Sequence, residues 1–170
     1  AHRSMSPGRG RGTTSLGGNV TTTGAQDFND AVTLNVNATL ESTGNSAISL
    51  DSTVDGAFDL TVNTTGATTF GDAVGGTAAL TSVTTNAGGT TSLGGNVTTS
   101  GDQSFNDATT LGADVVATGT NVSFASSLDG AQALTINASG ATTFGGVVGG
   151  TTQLTSLTTD AAGTVAINGG

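Results

Sequence analysis

The sequence has no cysteine, tryptophan or tyrosine, and a single proline, Pro7. Disulfides, thiolate metal sites and thiol nucleophiles are thereby excluded, and the six phenylalanines are the only aromatic anchors. Lacking cysteine does not identify a compartment, because disulfide-free chains occur on both sides of a membrane. Positive charge is nearly absent as well. His2, Arg3, Arg9 and Arg11 are the only basic residues, and none follows Arg11. Twelve carboxylates stand unopposed on the remainder, which repels phosphate backbones and anionic membrane surfaces, so no nucleic-acid partner is expected. No stretch approaches the roughly 18 apolar residues of a spanning helix, so membrane insertion is not expected either.

What is abundant is threonine and glycine, 35 and 28 of 170 residues, which favours strands and tight turns over long helices. Hydrophobic residues make up 34%, enough for a thin, elongated core. Residues 1–11 (AHRSMSPGRGR) share nothing with the rest of the chain and lack the apolar segment of a signal peptide. They read as a disordered tail or linker, with a functional basic arm as the alternative.

The body repeats itself. GTTSLGGNVTT at Gly12 recurs at Gly89, QDFNDAVTL at Gln26 recurs as QSFNDATTL at Gln103, and GATTFGDAVGGT at Gly66 recurs as GATTFGGVVGGT at Gly140. The first two pairs are equally spaced and the third slightly closer, which divides the body into a first repeat over 12–88, a second over 89–162 and the start of a third over 163–170. Self-similarity at a period of about 74 to 77 residues marks a repeat architecture in which each unit buries its inner face only by stacking on its neighbours.

A shorter rhythm runs inside each repeat. Segments such as LTVNTT and LTINAS alternate apolar and polar residues, as a strand with one buried face requires. Apolar pairs four apart (Leu16/Val20, Leu50/Val54, Phe70/Val74, Leu93/Val97, Phe124/Leu128, Phe144/Val148) enclose turn formers and predict corners, not helix. With Leu34, Leu60, Leu80, Leu111, Leu134 and Leu154 as landmarks, the pattern predicts about six coils of roughly 20 to 30 residues. The expected fold is all-β, a right-handed parallel β-solenoid (β-helix), the hand following from the general rule for parallel crossovers. The segments GAQDFND and GDQSFND are expected to form the longer turns that bulge from one side.

The stretch from GNVTTSGDQSFNDATTL at Gly95 to GTVAING at Gly163 resembles the shaft repeats of giant bacterial surface proteins, the filamentous-haemagglutinin-like and autotransporter-type adhesins. The likeness covers residues 12–170 and lies in repeat style, not in a functional motif. It implies an extracellular or cell-surface β-helical shaft that links cells or carries a binding tip, with host or neighbouring-cell glycans as conceivable partners.

Among chemistry-bearing residues only carboxylates remain. Asp27, Asp30, Asp55, Asp102, Asp107 and Asp129 are the candidates for paired-carboxylate glycoside hydrolysis, but turn aspartates already serve local hydrogen bonding, and no Arg or Lys accompanies them. The β-roll calcium nonapeptide does not occur, and the turns Asn29/Asp30, Asn106/Asp107, Asp55/Gly56 and Asp129/Gly130 read as corner caps in preference to cation ligands. Phe28 and Phe105 read as core plugs, with exposed adhesive residues as the alternative.

An ice-binding threonine ladder is interrupted on the landmark column of Thr61, Thr81, Thr135 and Thr155 by Asn35 and Gly112. The adjacent pairs Thr13/Thr14, Thr68/Thr69, Thr90/Thr91 and Thr142/Thr143 point to opposite faces. Sequons begin at Asn19, Asn37, Asn63, Asn96, Asn121 and Asn137, as this composition alone would give. No catalytic, cofactor or metal residue is therefore assigned. The expected role is a non-enzymatic structural or adhesive segment that associates end to end with itself, with a carbohydrate- or ice-binding module as the alternative.

Overall fold

A computed structural model describes residues 12–169; the expected tail, residues 1–11, lies outside the described residues. Twenty-one strands, numbered β1 to β21 in chain order, fall on three faces. The first face carries β1 (Thr13–Leu16), β4 (Ala31–Leu34), β7 (Val54–Asp55), β12 (Val97–Thr98), β15 (Val115–Gly119), β18 (Ala133–Ala138) and β20 (Ser156–Thr159). Its two halves are joined through bridges at Val74. The second face is an unbroken eight-stranded sheet of β2 (Val20–Thr22), β5 (Ala38–Ser42), β8 (Asp59–Asn63), β10 (Ser82–Thr85), β13 (Gln103–Phe105), β16 (Val122–Phe124), β19 (Ala141–Phe144) and β21 (Thr164–Ile167). The third holds β3 (Gln26–Phe28), β6 (Ile48–Leu50), β9 (Ala67–Phe70), β11 (Thr90–Leu93), β14 (Ala108–Leu111) and β17 (Leu128–Asp129), extended by a bridge to Val148. The pairings within each face are parallel, which makes the chain a parallel β-solenoid.

Inward residues stack in columns. On the second face Val20, Leu40, Val62, Thr85, Phe105, Phe124, Phe144 and Ile167 share one register, one residue from each coil. The described chain therefore makes eight coils and spans about 34 Å between the first and the last. Eight replaces the six expected from the leucine landmarks. Leu34 lies on the first face, Leu60 on the second and Leu111 on the third, so their spacings mix faces and are not coil lengths.

The corner pairs lie where the sequence places them: Leu16 ends β1 and Val20 opens β2, Leu93 ends β11 and Val97 opens β12, and Phe124 ends β16 and Leu128 opens β17. The expected bulges are corrected. QDF and QSF form strands β3 and β13, and the coil step that contains the second segment, Leu93 to Leu111, is among the shortest in the rod. The longest steps on the second face, Val62 to Thr85 and Phe144 to Ile167, instead contain residues 75–79 and 149–153, which leave the wall at Gly75 (φ 72°) and Gly149 (φ 69°). A positive φ is cheapest for glycine, and the one other residue among those described that adopts it is Asn45. The Asp-Gly corners need glycine for space too. At Gly130 (φ 132°) a Cβ would lie 2.6 Å from the Leu111 carbonyl oxygen, and Gly56 meets Leu34 in the same way.

The core is aliphatic with one aromatic column. Phe105 and Phe124 stack with centroids 5.2 Å apart, and Phe124 and Phe144 with centroids 5.9 Å apart, all three fully buried. Phe105 is therefore a core plug; Phe28, in the first coil, packs against the core but stays half-buried.

The long repeat and the coil are out of phase. Counting Val74 as a strand position, β1 to β11 is eleven positions, or three and two-thirds coils, and counting Val148, β11 to β21 is eleven again. Equivalent segments therefore change face: Thr13–Leu16 lies on the first, Thr90–Leu93 on the third and Thr164–Ile167 on the second.

Two substitutions test the packing by urea unfolding. Phe124→Ala is expected to cost about 3–5 kcal/mol, and a loss below about 1 kcal/mol would contradict a close-packed column. Gly130→Ala is expected to destabilise by more than the ordinary surface range of about 0.5 kcal/mol, because both its φ and its Cβ are refused.

Candidate functional site

Because inward and outward residues alternate along each strand, parallel stacking aligns the outward ones into rows about 4.8 Å apart. On the second face this produces an unbroken hydroxyl row: Thr39, Thr61, Thr84, Ser104, Ser123 and Thr143, ending at Ala166. On the third face Ser49, Thr69, Ser92 and Thr110 run between Asp27 and Asp129. The first face carries Ser15, Thr33 and Asp55 in one row and Thr98, Thr118 and Asn137 in another.

The second-face row corrects the interrupted threonine ladder. Thr61 and Thr135, two members of the landmark column, lie on different faces, whereas Thr61 aligns with Thr84 and Ser104, which no leucine landmark precedes at the same offset. The adjacent threonine pairs do split as expected: Thr68, Thr91 and Thr142 are buried, and Thr69, Thr90 and Thr143 face outward.

The carboxylates are dispersed and largely engaged in holding coils together. Asp55 Oδ1 accepts the backbone N–H groups of Thr77 (2.8 Å) and Ala78 (2.9 Å), and Asp129 Oδ1 accepts those of Thr151 (2.8 Å) and Thr152 (3.0 Å). Asp107 is 1% exposed; its carboxylate accepts the Gly89 N–H at 2.7 Å and the Thr91 hydroxyl at 3.2 Å. Asp102 accepts the Asn121 side-chain amide at 2.8 Å, Asp30 sits against Gly12, and Asp27 is exposed on β3. Among the described residues no three of His, Cys, Asp and Glu gather into a metal-binding group. The turn members Asn106 and Asp107 are corner caps; Asn106 donates its side-chain amide to the Thr85 carbonyl at 2.7 Å.

A device the sequence reading missed lies in the sequon asparagines. Asn19, Asn37, Asn96 and Asn121 each accept, through Oδ1, a backbone N–H one coil along: Thr39, Asp59, Val116 and Ala141, at 2.7–3.0 Å. Asp114 does the same for Ala133. The available signal is an Asn or Asp directly before the first inward residue of a strand, as in NV, NA and DV. A second device is buried glutamine. Gln103 Nε2 donates to the Val97 and Thr118 carbonyls and the Thr99 hydroxyl, and Gln26 makes the equivalent bonds to Val20, Glu41 and Thr22.

Chemically, this surface offers rows of hydroxyls, side-chain amides and carboxylates on flat walls, with no cationic side chain among the described residues. Such a surface hydrogen-bonds neutral polar partners and repels polyanions. Comparison with protein-family models, with curated proteins and with solved structures returned no match.

Asp107→Ala leaves the half-buried Gly89 N–H and the buried Thr91 hydroxyl without their acceptor and is expected to cost about 1–3 kcal/mol in chemical denaturation, whereas Asp27→Ala should stay within about 0.5 kcal/mol. Equal effects from the two would show that the corner caps do not hold the coils.

Proposed function

We propose that this chain is a passive spacer: a shaft segment of an extracellular bacterial surface protein, of the filamentous-haemagglutinin-like or autotransporter-type adhesins, with no catalytic role of its own. The observation that carries this reading is the eleven-position repeat. A surface tuned in one repeat is thrown onto another face in the next, so repetition builds length and not a single specialised side. Each added repeat of three and two-thirds coils contributes about 18 Å of rod. The coil-to-coil Asn and Asp bonds favour stiffness, and the unopposed carboxylates keep neighbouring rods apart. The outward hydroxyls suit weak contacts with glycans of host or neighbouring cells. In this reading the rod also associates end to end with other copies of itself.

The second-face row of six hydroxyls favours one other reading, a carbohydrate- or ice-binding wall. A single row matches a lattice in one direction only, and it belongs to one face, so it stands second.

Duplicating residues 89–162 in tandem decides between length and compaction. Small-angle scattering should show the rod lengthen by about 18 Å at unchanged cross-section; a thicker particle of unchanged length contradicts a spacer. For the wall reading, Thr84→Lys with Ser104→Lys should abolish any ice-shaping or glycan retention seen with the parent chain.

A further inference from the structure

We infer that each long repeat holds one internal water molecule, hydrogen-bonded to the side-chain carbonyl of its buried glutamine. The inference is independent of the spacer reading and rests on two corners built alike in different surroundings. Gln26 opens β3 on the third face and Gln103 opens β13 on the second, 5% and 0% exposed. They are the same residue of the long repeat, the first of QDFND and of QSFND.

Three acceptors fix how each amide points. Gln103 Nε2 lies 3.1 Å from the Val97 carbonyl, 2.8 Å from the Thr118 carbonyl and 3.3 Å from the Thr99 hydroxyl, which gives its own proton to the Gly101 carbonyl at 2.9 Å. Gln26 Nε2 lies 3.2 Å from the Val20 carbonyl, 2.8 Å from the Glu41 carbonyl and 3.2 Å from the Thr22 hydroxyl, whose proton goes to the Gly24 carbonyl at 2.6 Å. Turning either amide over would set its oxygen against two carbonyls and a hydroxyl already committed as a donor elsewhere. The surroundings therefore accept one orientation only.

That orientation turns Oε1 away from every donor. In both glutamines Oε1 is buried and receives no hydrogen bond from a described residue. The side chain stacked on each in the column is aliphatic, Ile48 on Gln26 and Val122 on Gln103. The backbone N–H groups of the glutamines are themselves spent on the Ala47 and Asn121 carbonyls. A buried acceptor so placed takes a small mobile donor, and water is the one that fits. Its second proton has the spare lone pair of a corner carbonyl, Val97 or Thr118 in one repeat and Val20 or Glu41 in the other. A cation does not fit, because Nε2 already holds those carbonyls and one neutral oxygen is no coordination shell. Thr68 Oγ1 is also buried without a partner, but a hydroxyl turns about its own bond and fixes no direction as the two amides do.

A high-resolution crystal structure of the full chain tests the inference. A water is expected at about 2.7–3.2 Å from Oε1 of both glutamines. In solution, oxygen-17 relaxation dispersion counts long-lived waters, and Gln26→Met and Gln103→Met are each expected to lower the parent's count by one. Oε1 packed solely against carbon overturns the site, as does a turned amide whose oxygen receives a protein N–H. A peak ringed by oxygens at about 2.3–2.6 Å, the spacing of a bound calcium ion, overturns it too. A folded methionine variant that keeps the parent's count overturns the site at that glutamine, and the crystal structure of the parent chain decides alone if a variant fails to fold.

Discussion

Backbone pairing between successive coils is the interaction on which everything else in this molecule rests. No coil contains a partner for its own strand N–H and C=O groups. Each is satisfied only by the coils before and after it, at one fixed spacing. Once that spacing is imposed, the side chains must follow. Inward residues form columns, which is why Phe105, Phe124 and Phe144 stack, and outward residues form rows, whether or not any function selects them. The asparagine and aspartate bonds from coil to coil reinforce the same spacing at the corners, where backbone pairing lapses.

Against this constraint the long repeat is free to have its own period, and it does. Eleven strand positions do not divide by three faces, so the chain turns its repeated surface as it grows. The hydroxyl row on the second face survives because serine or threonine stands at the outward centre of segments from every part of the repeat, not because one face is copied. That uniformity suits a rod whose sides are interchangeable, and β-branched threonine serves it on physical grounds, favouring the pleat while keeping the wall hydrated.

Particular residues show where the sequence was sufficient. The four-residue apolar pairs marked corners correctly because glycine, asparagine and aspartate between them leave the backbone little else to do. Phe105 was legible as core from its recurrence. The carboxylates were legible as turn residues but their partners were not: where local hydrogen bonding was expected, Asp55, Asp107 and Asp129 accept backbone N–H groups 18 to 23 residues away, on a neighbouring coil. What misled was phase. Leu34, Leu60 and Leu111 resemble one another because each is inward and apolar, a property common to all three faces, so alignment by hydropathy could not tell a neighbour in the column from a neighbour around the coil.

Sequence by itself thus determined the class of fold, the corners, the long repeat and the unopposed negative charge of the body, because each depends on local propensity or on composition. Only the tertiary structure decided the number of coils, the bulging of residues 75–79 and 149–153, the rows on each wall and the rotation of one repeat against the next. Those depend on which strand pairs with which, and parallel pairing joins residues a whole coil apart whose side chains carry no mark of their partner.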